Sequence, residues 1–215
     1  KINMKFFGWG NNISISANTF YPQNDLEIIK ILKDKKIKKI LCRGNGRSYG
    51  DNNLNSNMIL LTKYKKKLKI YKKKKLLDCT SNYTFSEISE FLIKKGLFFN
   101  VTPGSSSVTI GGAISNDVHG KNHHIDGTFT NYLREMTLIT PEGKILTCSK
   151  KKNKELFEAT CGGAGLTGVI TSVKIDLLKV KSKNIDVLIS TTLNLKDTIK
   201  KFKELKNQKY LVAWM

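Results

Sequence analysis

Apolar positions recur along this chain with two periods, near 3.6 and near 2, and the switches between them predict its elements. After an irregular entry containing Trp9 and Pro22, Leu26, Ile29, Ile31 and Leu32 fall at roughly helical spacing behind Asn24 or Asp25. Residues 24–36 are therefore expected to form a capped helix leading into a strand at 39–42. Short apolar runs predict further strands at 58–62, 68–71 and 76–80. Helix signals are strongest over 84–95, where Thr84 precedes Glu87 as a capping box, Phe85, Ile88, Phe91 and Leu92 share a face, and Gly96 stops the run. Strands follow at 97–101, 133–140 and 144–149, the last two flanking the turn Pro141-Glu142-Gly143. A short helix at 154–160 precedes a long strand at 169–178. From Lys183 the pattern restarts as strand 185–191, helix 195–206 and strand 210–214. That unit cannot bury both faces of a sheet, so it is expected to begin a second domain.

Three glycine-rich segments interrupt these elements. RGNGRSYGDN, from Arg43 to Asn52, has three glycines in seven residues between two arginines and hydrogen-bonding side chains. Such a backbone can wrap an anion. Composition sharpens this: the chain holds 35 lysines and three arginines, and Arg43 and Arg47 both stand here. A planar fork that grips phosphate bidentately is the reason to place Arg where Lys is the default. The bland reading is a glycine-rich turn. In the second segment, PGSSSVTIGGAISNDVHGKNHH, Ser106 or Thr109 is expected to cap a short helix through Gly111, Gly112 and Ala113, where small residues allow a ligand close to the backbone. In the third, CGGAGLTG from Cys161 to Gly168, the glycines either punctuate a turn or admit a ligand, and both readings stay open.

A formal net charge of +21 invites a nucleic-acid reading. The lysines run from Lys1 to Lys209, however, and the densest stretch, Lys63 to Lys75, alternates around Leu68, Ile70 and Tyr71 as a half-exposed strand pair would. A solvated basic face is the preferred reading, with no specific nucleic acid expected; the summed field suits an anionic membrane surface or substrate. Cys42, Cys79, Cys148 and Cys161 are dispersed without metal-ligand spacing, so reduced thiols and a cytoplasmic location are expected, with peripheral membrane contact compatible. No signal-peptide core or spanning apolar run occurs, and the chain opens on Lys1, so a natural start upstream is expected.

Two nucleotide motifs are excluded. Gly44-Asn45-Gly46 is spaced GxGxxxG and is followed by DNNLN rather than an amphipathic helix, against a Rossmann fingerprint, and no Walker loop occurs. His119, His123 and His124 fall within six residues without HExxH spacing or a nearby Cys, so no metal site is expected.

RGNGRSYGDN, PGSSSVTIGGAISNDVHGKNHH and ELFEATCGGAGLTGVI, in this order, resemble the FAD-binding domain of the vanillyl-alcohol-oxidase/p-cresol-methylhydroxylase superfamily. Within it the decaprenylphosphoryl-β-D-ribose 2'-oxidase family is most similar, over about Gly8 to Leu178. The resemblance implies an α+β fold: a two-subdomain FAD-binding domain of the p-cresol-methylhydroxylase type over residues 1–180, followed at 181–215 by the start of a truncated α+β substrate (cap) domain. It assigns the FAD diphosphate to Arg43, Gly44, Asn45, Gly46, Arg47, Ser48, Tyr49, Gly50, Asp51 and Asn52. Gly104, Thr109, Ile110, Gly111 and Gly112 would continue along the cofactor, His119, Gly120, Lys121 and Asn122 would lie beside the isoalloxazine, and Ile170 would meet the adenine end. Many relatives tether FAD through a His in a GxGHS-like first loop. That position is Arg47 here, so non-covalent FAD is expected.

The implied reaction is oxidation of a secondary hydroxyl of a sugar, polyprenyl-phosphoryl ribose at its 2' position, as the first half of an epimerisation to the arabinose form in cell-wall biosynthesis. Hydride passes to flavin N5 while a base takes the hydroxyl proton. His119, Lys121 and Tyr49 are the catalytic candidates, a Lys or protonated His being able to stabilise the reduced flavin's N1 anion. A short-chain reductase partner and a quinone or oxygen acceptor are implied as well. An alditol or aldonolactone oxidase of the same superfamily is the alternative substrate reading. A basic, non-catalytic module docking on nucleic acid or anionic lipid is the alternative of another class. The Tyr and Lys that the family's later segments return to the flavin have no counterpart before Met215, so the chain is expected to be a fragment or truncated product holding part of an active site.

Overall fold

The computed structural model describes residues 2–214. Its entry is a hairpin and not the irregular chain expected: β1 (Ile2–Phe7) pairs antiparallel with β2 (Ser14–Phe20), from Ile2 opposite Thr19 to Phe7 opposite Ser14. The chain then forms α1 (Asp25–Leu32), β3 (Leu41–Arg43) and β4 (Asn57–Leu60). Asn24 caps α1 by accepting the Glu27 N–H. β4 runs parallel to both β2 and β3, so the first sheet has the order β1-β2-β4-β3.

The second sheet is built from β5 (Leu68–Tyr71), β6 (Leu76–Thr80), β7 (Leu97–Phe99), β8 (Leu133–Ile139), β9 (Ile145–Ser149) and β10 (Val169–Lys179). Its antiparallel order is β5-β6-β10-β8-β9, with β7 pairing the end of β10. Burial alternates along β10 from Val173 onward, as in a sheet with one covered face. The lysine-rich stretch turns at Lys72–Lys75 between β5 and β6, the strand pair its pattern predicts.

Three helices share the core of that sheet, α2 (Phe85–Ile93), α3 (Ile110–Ser115) and α5 (Lys154–Thr160), and a short α4 (His123–Asp126) buries no residue. Phe85 and Ile88 of α2 are buried with Phe99 and Phe129, the Phe85 ring lying 4.8 Å from Phe99 and 5.2 Å from Phe129. Each such side chain contributes about 1.5–3 kcal/mol by leaving water. A smaller cluster, Ile28, Ile59, Leu61, Ile139 and Val169, joins α1 and the first sheet to β8 and β10. The result is an α+β fold with two sheets.

Downstream of β10, α6 (Leu195–Glu204) forms, but 185–191 and 210–214 are not strands among the described residues. Ile185, Val187 and Ile189 alternate as a strand would, yet they are 64%, 72% and 85% exposed. Period-two apolarity places side chains but supplies no ladder partner, and no neighbouring strand meets this segment.

The α2 capping box is complete: Thr84 accepts the Glu87 N–H, and Glu87 accepts from Thr84 N and from Lys66. Burial works against the Glu87 charge, but the Lys66 and Thr84 bonds outweigh it and hold the carboxyl below its ordinary range. Thr84→Ala should lower stability by about 1 kcal/mol in urea unfolding. The Glu87 contribution is full above the ordinary carboxylate pKa and is lost as pH falls through the lowered one. Wild type and Glu87→Gln should accordingly differ in midpoint at neutral pH and converge in acid.

Candidate functional site

A cleft of about 460 Å³ opens where β3, α3 and β10 end or begin, and all three glycine-rich segments contribute to its wall. The first leaves β3 at Arg43. From Gly44 to Ser48 no backbone N–H donates to another group among the described residues, so a run of amides stands open to a ligand. Gly46 has φ +63°, and a Cβ there would fall onto the Arg43 guanidinium. Gly44 lies so close to the second segment that a Cβ would stand 2.5 Å from Thr109 Oγ1. Two side chains fasten the contact: Asn45 Nδ2 donates to Ser107 O at 2.9 Å and Asn52 Nδ2 to Asn116 Oδ1 at 3.3 Å.

Thr109 caps α3, and the first amides of this helix are already used: Ile110 N donates to Tyr83 O, Gly111 N to Ser81 O and Gly112 N to Thr109 Oγ1. The third segment docks on the other end of α3, with Gly162 N donating to Ile114 O at 2.9 Å and Ala164 N to Ser115 O at 2.7 Å. Ala164, Gly165, Gly168 and Ile170 complete the wall.

The two arginines divide the work. Arg43 donates from Nη1 to Asn53 O and Oδ1 and from Nη2 to Phe7 O. Desolvation lowers its pKa, and its fork donates to protein oxygens. Arg47 is exposed, lies over the Trp9 ring at 4.3 Å, and has no carboxylate partner among the described residues. Cys42, also on the wall, has its thiol pushed up to about 12 by burial and stays neutral.

Of the residues expected from the sequence, the structure brings Arg43, Gly44, Asn45, Gly46, Arg47, Ser48, Tyr49 and Asn52 together with Thr109, Gly111, Gly112 and Ile170. Gly50, Asp51, Gly104 and Ile110 are not on this wall; Ile110 is wholly buried in the main core. The 119–122 segment also lies off it, beyond Val118, because other contacts hold it. His119 bridges to Thr128 and its ring meets His123 edge-on at 5.4 Å. Gly120 is buried, with room for no Cβ against Thr102 O. Asn122 is buried and donates to Asn100 O and Asp126 Oδ2, while Lys121 is exposed and its carbonyl accepts from Leu211 N. No three metal-ligating side chains gather among the described residues.

Sequence reasoning missed Ser81, Asn82, Asn53, Ser115 and Asn116 on the wall. Asn82 is the most informative. Its Nδ2 donates to Leu61 O and Tyr64 O, both at 2.9 Å, while Oδ1 is buried with no partner among the described residues. An orphaned buried acceptor is costly unless something donates to it. The signal was the polar run Thr80-Ser81-Asn82 at the end of a buried strand, just ahead of a helix cap.

A family model described as an FAD binding domain matches residues 17–149. A decaprenylphosphoryl-beta-D-ribose oxidase of Mycolicibacterium smegmatis is 32% identical over 80% of this chain and 39% of its own length. An L-gulonolactone oxidase of Scyliorhinus torazame is 28% identical over 80% of this chain and 40% of its own, and cytokinin dehydrogenase 2 of Arabidopsis thaliana is 28% identical over 79% and 35%. The chain thus spans 35–40% of the length of these relatives.

The wall fits FAD chemically. Open amides and the unpaired Arg47 suit a diphosphate. Gly44→Ala should therefore weaken FAD binding at least about tenfold, since a Cβ contact of this kind costs more than 1.4 kcal/mol to relieve. Adding Thr109→Ala removes the obstructing Oγ1 and should recover part of the loss in a flavin-fluorescence titration; no recovery would refute the close-approach account.

Proposed function

We propose that this chain, which belongs to the FAD binding domain family, is the flavin-holding part of an oxidoreductase that oxidises a secondary hydroxyl of a sugar, a polyprenyl-phosphoryl ribose. The observation that carries the flavin part is the meeting of the undonated Gly44–Ser48 amides and Arg47 on one wall to which all three glycine-rich segments contribute. The substrate part rests on similarity to the decaprenylphosphoryl-beta-D-ribose oxidase, whose length this chain covers to 39%. In this reading residues 1–180 form the FAD-binding domain and 181–215 begin a substrate domain.

When bound, FAD supplies the two-electron acceptor that alcohol oxidation requires. The chain's own residues bind and orient it. The amides of the Gly44–Ser48 loop and Arg47 hold the diphosphate, Asn82 accepts one cofactor hydrogen bond, and Ile170 gives an apolar wall. Of the proton-handling candidates, Tyr49 stands on the wall, 74% exposed, whereas His119 and Lys121 sit on the neighbouring surface segment. The cofactor is held without a covalent bond: Arg47 occupies the first-loop position of a tethering His, no His lines the cleft among the described residues, and the neutral Cys42 thiol is a poor nucleophile. A quinone or oxygen as electron acceptor and a short-chain reductase as partner belong to the same reading.

Similarity to an L-gulonolactone oxidase over the same 80% of the chain favours an aldonolactone oxidase as the second reading. Purified protein supplied with FAD should carry a flavin absorbance band and release the flavin into the supernatant on acid precipitation. Colourless protein would overturn the proposal, and flavin in the pellet would overturn its non-covalent part. Anaerobic bleaching of the flavin by a polyprenyl-phosphoryl ribose but not by aldonolactones would separate the two substrate readings.

A further inference from the structure

We infer that Trp9, at the tip of the β1–β2 hairpin, is a positioning residue for the cofactor loop and acts by fixing Arg47. The inference rests on the reading that Arg47 meets the FAD diphosphate. It starts from how the hairpin touches the cradle. Trp9 N donates to Ser48 O at 3.0 Å, and Arg43 of the cradle reaches back to Phe7 O at 2.9 Å with its guanidinium 5.0 Å from the Phe6 ring centre. At Gly8 a Cβ would stand 2.3 Å from Gly50 O, so hairpin and cradle backbones touch. These contacts fix where Trp9 stands relative to the loop.

The Trp9 ring then meets one side chain that nothing else restrains. Arg47 has no carboxylate or hydrogen-bond partner among the described residues, and its guanidinium carbon lies 4.3 Å from the Trp9 ring centre. An exposed, unpaired Arg samples many rotamers, and ordering one for a ligand costs up to about 2 kcal/mol of side-chain entropy. Stacking on indole removes much of that freedom in advance. It neutralises no charge, so the cation keeps its attraction for an anion. A carboxylate partner would fix Arg47 equally well but would compete with a phosphate for the same donors. The aromatic face is therefore the suitable way to hold this cation ready.

The test is a double-mutant cycle on FAD affinity, using Trp9→Leu, Arg47→Gln and the pair, with unfolding midpoints as a control for folding. Trp9→Leu should weaken FAD binding about three- to tenfold, the size of a partly exposed cation–π contact. Trp9→Phe should restore most of that affinity, and the double variant should bind no more weakly than Arg47→Gln alone. Independent, multiplying losses, or full affinity in Trp9→Leu, would overturn the inference while leaving the FAD reading intact. A wild-type chain that takes up no FAD would overturn both. Unfolding midpoints shifted equally by Trp9→Leu and Trp9→Phe, with FAD loss tracking the shift, would reduce Trp9 to a structural role.

Discussion

The near-contact between Gly44 and Thr109 is the constraint on which this cleft depends. Two loops from different parts of the chain can share a wall only if their backbones come within a side chain's breadth, and here the missing side chain is that of Gly44. Thr109 Oγ1 then serves as the α3 cap, Asn45 and Asn52 bond across the same junction, and the third glycine-rich turn docks on the far end of α3. α3 is thus used up structurally: its first amides are satisfied by Tyr83, Ser81 and Thr109, and the open amides lie in the loop after β3. That division is what a preorganised diphosphate site requires, rigid backbone on one side and unsatisfied donors on the other.

Much of this was legible in the sequence, for physical reasons. α2 announced itself through a capping box and a one-sided apolar stripe, and β8–β9 through a Pro-Glu-Gly turn between apolar runs. That the loop after β3 lines a cleft was legible because its three glycines and two scarce arginines stand together. The entry hairpin was not: Ile2, Met4 and Phe6 do alternate with Asn3 and Lys5, but the run is short and was read as irregular, and both of its faces are largely exposed. The opposite error came at 185–191, where alternation is clear but no partner strand exists to pair with it.

Which side chains line the cleft was only partly legible in the sequence. Periodicity cannot say where a glutamine-like amide or a guanidinium will point, so Arg43 was read as a ligand though its fork is closed on Asn53 and Phe7. The segment after α3 was expected beside the ligand because it follows the helix closely. Asn122, itself buried and bonded to Asn100 O and Asp126 Oδ2, anchors that segment off the cleft wall, and its place beside a flavin stays part of the proposed reading. Asn82 was missed because an orphaned acceptor is a property of burial, which a sequence does not display.

The positive charge is spread along the whole chain. Lysines line exposed edges and turns throughout, and several are already paired, Lys174 with Glu135 and Lys209 with Asp126 among them. In the proposed reading a few uncharged amides and one arginine over an indole ring meet the cofactor. Amide hydrogen exchange with and without FAD tests that most directly. The account predicts slowed exchange in residues 43–53, 108–112 and 162–170 and little change elsewhere. Slowing confined to 118–126, or spread over the lysine-rich surface with the cradle unaffected, would contradict it.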